Sequence, residues 1–190
     1  LVQCTMLMAN HRENVEEAIA GDIIGIYDTG NYQIGDTLST RKETLFFEPL
    51  PTFPPELFAL VTPKDTMKAK QFQKGVSQLA QEGAIQVYRN EYNEVIIGAV
   101  GQLQFEVFQY RLENEYNAKI RMDRLEFSLA RWVHAEDFDT VKKILDSRTM
   151  LVFDHFDRPL ILFANQFTLN YFAEKNPDIK LLEALDVKQF

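Results

Sequence analysis

A single cysteine, Cys4, stands in a chain of 190 residues, and one thiol closes no internal disulfide, which excludes a secreted disulfide scaffold. No apolar run reaches the length of a membrane span. The opening Leu1–Ala9 is apolar, but Gln3 and Thr5 interrupt it and no basic segment precedes it, so it reads as a strand rather than a signal peptide. A cytoplasmic protein without membrane contact is expected. No initiator methionine is present either, from which a chain beginning inside a domain is expected. Basic residues are scarce: 20 Lys and Arg against 28 Asp and Glu give a formal net charge of -8. A free-standing nucleic-acid binder is thereby disfavoured, because general affinity for phosphate backbones comes from clustered Lys and Arg. What remains is an ordinary globular composition, 46% hydrophobic, long enough for one domain or two.

Much of the chemistry of enzymes is missing as well. No G-x-x-x-x-G-K-[ST] loop is found, and Gly98-Ala99-Val100-Gly101, which opens a helix, lacks the lysine and hydroxyl that would hold a phosphate, so strand-to-helix packing explains it. His11, His134 and His155 are far apart, without the companion spacing of a zinc site. Glu136, Asp137 and Asp139 suit the positive end of a helix dipole, and Asp154 and Asp157 suit a hairpin turn. Cys4 alternates with apolar neighbours and reads as an inert thiol. No catalytic residue, cofactor site or metal site is assigned.

Patterning divides the chain. Residues 1–48 carry short strands separated by Gly, Asp and Asn turns: one over Val2–Met8, a polar turn at Asn10–Asn14, then strands at Val15–Ala20, Ile23–Tyr27 and Gln33–Ile34, a β-barrel pattern. Four of the 7 prolines, Pro49, Pro51, Pro54 and Pro55, make residues 49–56 a stiff linker. Residues 57–126 then read β-α-β-β-α-β, with helices from Asp65 to Glu82-Gly83 and from Gly101 to about Asn117, the order of a ferredoxin-like unit. Residues 127–190 repeat that layout without repeating its sequence. The expected class is α+β: part of a barrel followed by two tandem ferredoxin-like α/β units.

The second helix carries two apolar stripes, Leu103, Val107 and Tyr110 on one side and Phe105, Phe108, Leu112 and Tyr116 on the other. One stripe suffices to cover a sheet, which leaves the other for the next unit, a neighbouring domain or an external partner. Phe105, Phe108, Leu112 and Tyr116, with Trp132, are the candidate domain-interface residues. Arg41, Lys42, Lys119 and Arg121 are candidate phosphate contacts, with solvated charge as the plainer reading.

A resemblance narrows the function. Ala20-Gly21-Asp22-Ile23-Ile24-Gly25-Ile26 followed by Gln33-Ile34-Gly35-Asp36-Thr37-Leu38 resembles the barrel that follows the GTP-binding domain of translational GTPases. Pro54-Pro55-Glu56-Leu57-Phe58, Lys74-Gly75 through Glu82-Gly83-Ala84-Ile85-Gln86-Val87-Tyr88-Arg89, and Ile97-Gly98-Ala99-Val100-Gly101-Gln102-Leu103-Gln104-Phe105-Glu106-Val107 are similar to the bacterial peptide-chain release factor 3 family. The similarity runs to about Leu125. It implies the C-terminal part of a ribosome-dependent GTPase that promotes dissociation of class I release factors, with GTP and Mg²⁺ held by a GTP-binding domain outside this chain. It implies partners too: the ribosome, mainly its small subunit, the class I factors, and the protein's own GTP-binding domain, with the protein a monomer.

Elongation factor G and the tetracycline-resistance GTPases are related alternatives, but they continue with two more large domains, and Gly101-Gln102-Leu103-Gln104-Phe105-Glu106-Val107 fits release factor 3 better. From another class, tandem ferredoxin-like units form amino-acid-sensing modules. The barrel pattern upstream speaks against that.

Overall fold

The computed structural model describes residues 4–8, 11–27, 32, 34–42, 47, 54–134 and 138–183. The chain divides into two compact units, 1–45 and 46–190. In the first, β1 (Cys4–Met8) lies between β2 (His11–Val15) and β3 (Ile24–Ile26) in an antiparallel sheet. Met8 pairs with His11 and Cys4 with both Val15 and Ile26. A polar turn at Asn10–Asn14 followed by a strand at Val15–Ala20 is therefore corrected: His11–Val15 is the strand. Its backbone pairs along all of β1, and that pairing outweighs the polarity of Arg12, Glu13 and Asn14, as sheet context commonly overrides residue preference. The next turn is tight, with Asp22 N–H donating to the Ile19 carbonyl at 3.0 Å, the Asp22 carboxylate accepting from Ile19 N–H at 2.8 Å, and Gly21 at φ 101. Only glycine takes that φ without steric cost. Ile34 lies in a turn; Gln33 lies outside the described residues.

In the second unit, residues 49–53 of the expected linker lie outside the described residues. Pro55 is buried, and Glu56 N–H donates to the Ala99 carbonyl at 3.0 Å. The chain then runs β4 (Leu57–Pro63), a 3-10 turn (Thr66–Lys68), α1 (Ala69–Gln81), β5 (Gln86–Asn90), β6 (Val95–Ala99), α2 (Gln102–Glu115) and β7 (Ile120–Leu125). After it come β8 (Leu129–Val133), α3 (Phe138–Ile144), β9 (Thr149–Phe153), β10 (Pro159–Phe163), α4 (Gln166–Lys175) and β11 (Leu181–Leu182). Local chemistry sets these bounds. Asp65 accepts from Met67 N–H at 2.9 Å before α1, and Asn165 accepts from Thr168 N–H at 2.9 Å before α4, each satisfying a donor the helix leaves unpaired. Gly83 at φ 68 follows α1 in the usual C-terminal manner.

The strand order is β11-β8-β10-β9-β5-β6-β4-β7. Each half thus has its fourth strand beside its first, then its third, then its second, the ferredoxin-like arrangement. The second strands, β5 and β9, join the halves through the pairs Arg89 with Phe153 and Asn90 with Val152. Alternation along the strands separates three cores. Ala59, Val61, Val95 and Ile97 face α1 and α2, where Phe72, Leu79, Phe105, Phe108 and Leu112 cover them. Ile161 and Phe163 face α3 and α4, with Val141, Leu169 and Phe172. The other faces, Phe58, Tyr88 and Ile96 from one half and Ala130, Val152, Leu160 and Leu162 from the other, bury each other in a shared core. Hence every residue of β6 and β10 is buried, and their runs Val-Ile-Ile and Leu-Ile-Leu-Phe do not alternate with polar residues.

Candidate functional site

The structure separates the residues singled out in the sequence. Phe105, Phe108 and Leu112 are buried in the first half's own helix-side core, with Tyr116 packed at its edge. The expectation that they form a domain interface is corrected: they are the stripe that covers the sheet. The Arg124 guanidinium lies 4.1 Å from the Phe105 ring centroid and closes that core from outside. Leu103, Val107 and Tyr110 are the stripe left exposed. Trp132 alone of the five packs against the core shared by the halves, its indole N–H 3.4 Å from Asp154 Oδ2.

Asp154 is a multiply bonded carboxylate of the second half. It is 8% exposed, accepts from Phe156 and Arg158 N–H at 2.9 and 3.0 Å, and pairs with the Arg158 guanidinium at 2.7 Å. With Asp157 at φ 58, these bonds fold the β9–β10 turn, and the carboxylate is consumed in doing so. The same charge reaches Tyr88. Burial pushes the Tyr88 phenol well above its ordinary value, Asp154 adds to the shift, and the phenol donates to Gln86 Oε1 at 2.6 Å.

The Gly98–Gly101 turn is likewise occupied. The Gln104 side chain accepts from Val100 N–H at 2.7 Å and from Gly101 N–H at 3.4 Å, so the donors at the start of α2 are answered by a residue one turn along. Gly98 serves packing: a Cβ there would meet Pro55 at 2.8 Å and Tyr88 at 3.0 Å. His134 is half-buried at the end of β8, and His155 is exposed against the Phe156 ring. Among the described residues no group of three or more His, Cys, Asp or Glu is placed to hold a metal. Asp139 lies in the first turn of α3, while Glu136 and Asp137 lie outside the described residues.

The basic candidates fall in different places. Arg41 and Lys42 are exposed in the 1–45 unit, where Arg41 N–H donates to Ser39 Oγ at 3.0 Å. Lys119 is exposed just before β7, while Arg121, on β7, pairs with Asp123 at 2.8 Å. Arg111 joins the two helices of the first half by bridging Glu82 at the end of α1 and Glu115 on α2, at 2.5 and 2.7 Å. That pairing holds the Glu115 carboxyl below its ordinary value, the Arg111 hydrogen bond being the largest cause.

The comparisons place this order, a small antiparallel β unit followed by a doubled ferredoxin-like body, among the translation factors. Residues 1–41 match the family model described as elongation factor G domain 2, and residues 47–173 match that described as class II release factor RF3, C-terminal domain. Peptide chain release factor 3 of Streptococcus uberis is 53% identical over 186 residues, covering 97% of this chain and 36% of that one. The Enterococcus faecalis protein of the same name is 57% identical over 182 residues, with 95% and 34% covered, and that of Listeria innocua 55% over 186, with 97% and 35%. This chain therefore belongs to the release factor 3 family, and it spans about a third of the length of the curated relatives it matches. A solved structure from Thermus thermophilus shares the fold at a TM-score of 0.51 and 18% identity, covering 70% of this chain and 22% of that one.

Proposed function

We propose that this chain is the C-terminal part of a ribosome-dependent GTPase that promotes dissociation of class I release factors during translation termination. The observation that carries the reading is the match of residues 47–173 to the release factor 3 C-terminal domain, preceded by an elongation factor G type barrel segment. GTP and Mg²⁺ belong to a GTP-binding domain outside residues 1–190, and residues 1–190 are catalytically silent. The parent works as a monomer in the cytoplasm, touching mainly the small ribosomal subunit.

Within it, this portion positions and transmits. Two halves that share one core and one sheet move as a body, so a displacement of one half carries the other with it. Ribosome contacts through Arg41, Lys42, Lys119 and Arg121 add to those of the GTP-binding domain by linkage on one chain. Charge reversal at these positions in the full-length protein slows release-factor recycling and leaves GTP affinity off the ribosome unchanged. Recycling at the normal rate in the quadruple variant would remove them from the contact set. Titration calorimetry of residues 1–190 with GTP and Mg²⁺ tests the silence of this portion: no heat of binding is expected, and micromolar affinity would refute it.

A further inference from the structure

We infer that the outer face of α1, with the lysines around its start, is an RNA-binding surface that holds the phosphate backbone of an RNA duplex. It rests on the ribosomal reading above and gives that reading a surface. In a chain of net charge -8, residues 66–81 contain three lysines, Lys68, Lys70 and Lys74, and no carboxylate. Phe72, Gly75, Val76 and Leu79 of α1 are buried, which leaves Lys70, Gln71, Gln73, Lys74, Ser77, Gln78 and Gln81 as its exposed polar residues, Gln73 accepting from the Arg89 guanidinium at 2.8 Å. Lys70 and Lys74 are one turn apart on that face. Lys64 N–H donates to the Lys119 carbonyl at 2.9 Å, so the segment entering β7 lies beside the loop that enters α1, and both lysines are exposed there.

The described cations divide into those with a carboxylate partner and those without, and these lysines, like Lys143, Lys175 and Lys180, are of the second kind. Arg111, Arg121, Arg131, Lys142, Arg148 and Arg158 each have a carboxylate partner. Lys64, Lys68, Lys70, Lys74 and Lys119 make no ion pair with a described carboxylate. The 13 residues of α1 span about 20 Å, room for about six phosphates at the per-strand spacing of a duplex.

The side chains between the lysines choose the ligand. Amides and a hydroxyl hydrogen-bond phosphate oxygens and ribose 2′-hydroxyls, which RNA offers along its whole length. An anionic membrane would need an apolar face beside the lysines, and within residues 64–81 Met67 is the one large exposed apolar side chain. An acidic protein surface would use the lysines and leave the glutamines idle.

Fluorescence anisotropy of residues 1–190 with a labelled RNA duplex of about 20 base pairs, between about 50 and 200 mM salt, tests the surface. Binding is expected to weaken with salt, and Lys70→Gln with Lys74→Gln to lower affinity at least about tenfold and shallow the salt slope by about 2. Lys175→Gln with Lys180→Gln, the same charge change on the second half, is expected to leave both unchanged. An unaltered slope in the α1 variant, equal losses in the two variants, or polyglutamate bound as tightly as RNA would each overturn the inference. Ribosome-stimulated GTP hydrolysis by the full-length parent is the separate readout of the functional reading. Its absence would sink that reading alone, while duplex binding dependent on Lys70 and Lys74 would stand.

Discussion

Gly75→Ala sets two effects of opposite sign against each other at the contact between α1 and α2. In a free helix the exchange is favourable by about 1 kcal/mol, because alanine loses less backbone entropy than glycine. Here the new Cβ would sit 2.5 Å from Leu112 Cδ2 and 2.8 and 3.0 Å from Tyr116 Cγ and Cδ2. Comfortable carbon contacts lie near about 3.5–4 Å. Leu112 is fully buried and has no room to swing away, so relief requires the helices to separate, at the upper end of the roughly 1–3 kcal/mol that overpacking costs. The net expectation is a loss of about 2 kcal/mol. Urea unfolding followed by fluorescence of Trp132, the only tryptophan, reads the 46–190 unit directly. Leu112→Ala alone costs about 2–5 kcal/mol as a buried truncation. In the Gly75→Ala background it should cost less by about 1–2 kcal/mol, because the cavity accepts the added methyl. A Gly75→Ala protein stabilised by the full helix-propensity gain would refute the close approach of the two helices.

Other expectations follow from the same packing. Phe105→Ala should cost about 3–5 kcal/mol in the same melt, and Leu103→Ala, on the exposed stripe two residues earlier, less than about 0.5 kcal/mol; a larger loss at Leu103 than at Phe105 would mean the two stripes of α2 are exchanged. The unfolded Tyr88 phenol ionises near pH 10 while the buried one stays protonated, so above that pH the unfolded state binds fewer protons and stability falls as pH rises, by up to about 1.4 kcal/mol per pH unit. Tyr88→Phe should flatten that alkaline decline in melts between about pH 9 and 11, and an unchanged slope would show the phenol is not withheld from solvent. Asp154→Ala leaves the Arg158 guanidinium and two backbone N–H groups of the β9–β10 turn without their acceptor, an expected loss of about 3–5 kcal/mol; a loss below about 1 kcal/mol would remove Asp154 from the turn's framework.

Elements whose signal is local were readable from the residues. The helix face of Phe72, Val76 and Leu79 and its Asp65 and Gly83 boundaries come from spacing and capping chemistry alone. His11–Val15 was not readable, because its strand character comes from pairing with β1 and not from its own polar residues. The shared core was written in the sequence as the unbroken apolar runs Val95–Ala99 and Leu160–Phe163, which mark strands covered on both faces. Periodicity says that such a strand is covered, not by what. On α2 both stripes are apolar, so side-chain type left open which one turns inward; contact with Ala59, Ile97 and Ala118 in the same core decides it. Arg41, Lys42, Lys119 and Arg121 stand out singly or in pairs along the sequence, whereas the carboxylate-free run 66–81 becomes a surface only when the helix places its polar residues on one side.

The central claim, that this portion positions and transmits within a GTP-driven release factor, is tested most directly by loss of a fluorescent class I release factor from ribosomes after peptide release. The full-length parent should accelerate that loss with GTP, the parent deleted for residues 57–183 should not, and residues 1–190 alone should have no effect. Acceleration by residues 1–190 alone, or by the deleted parent at the full rate, would contradict the account.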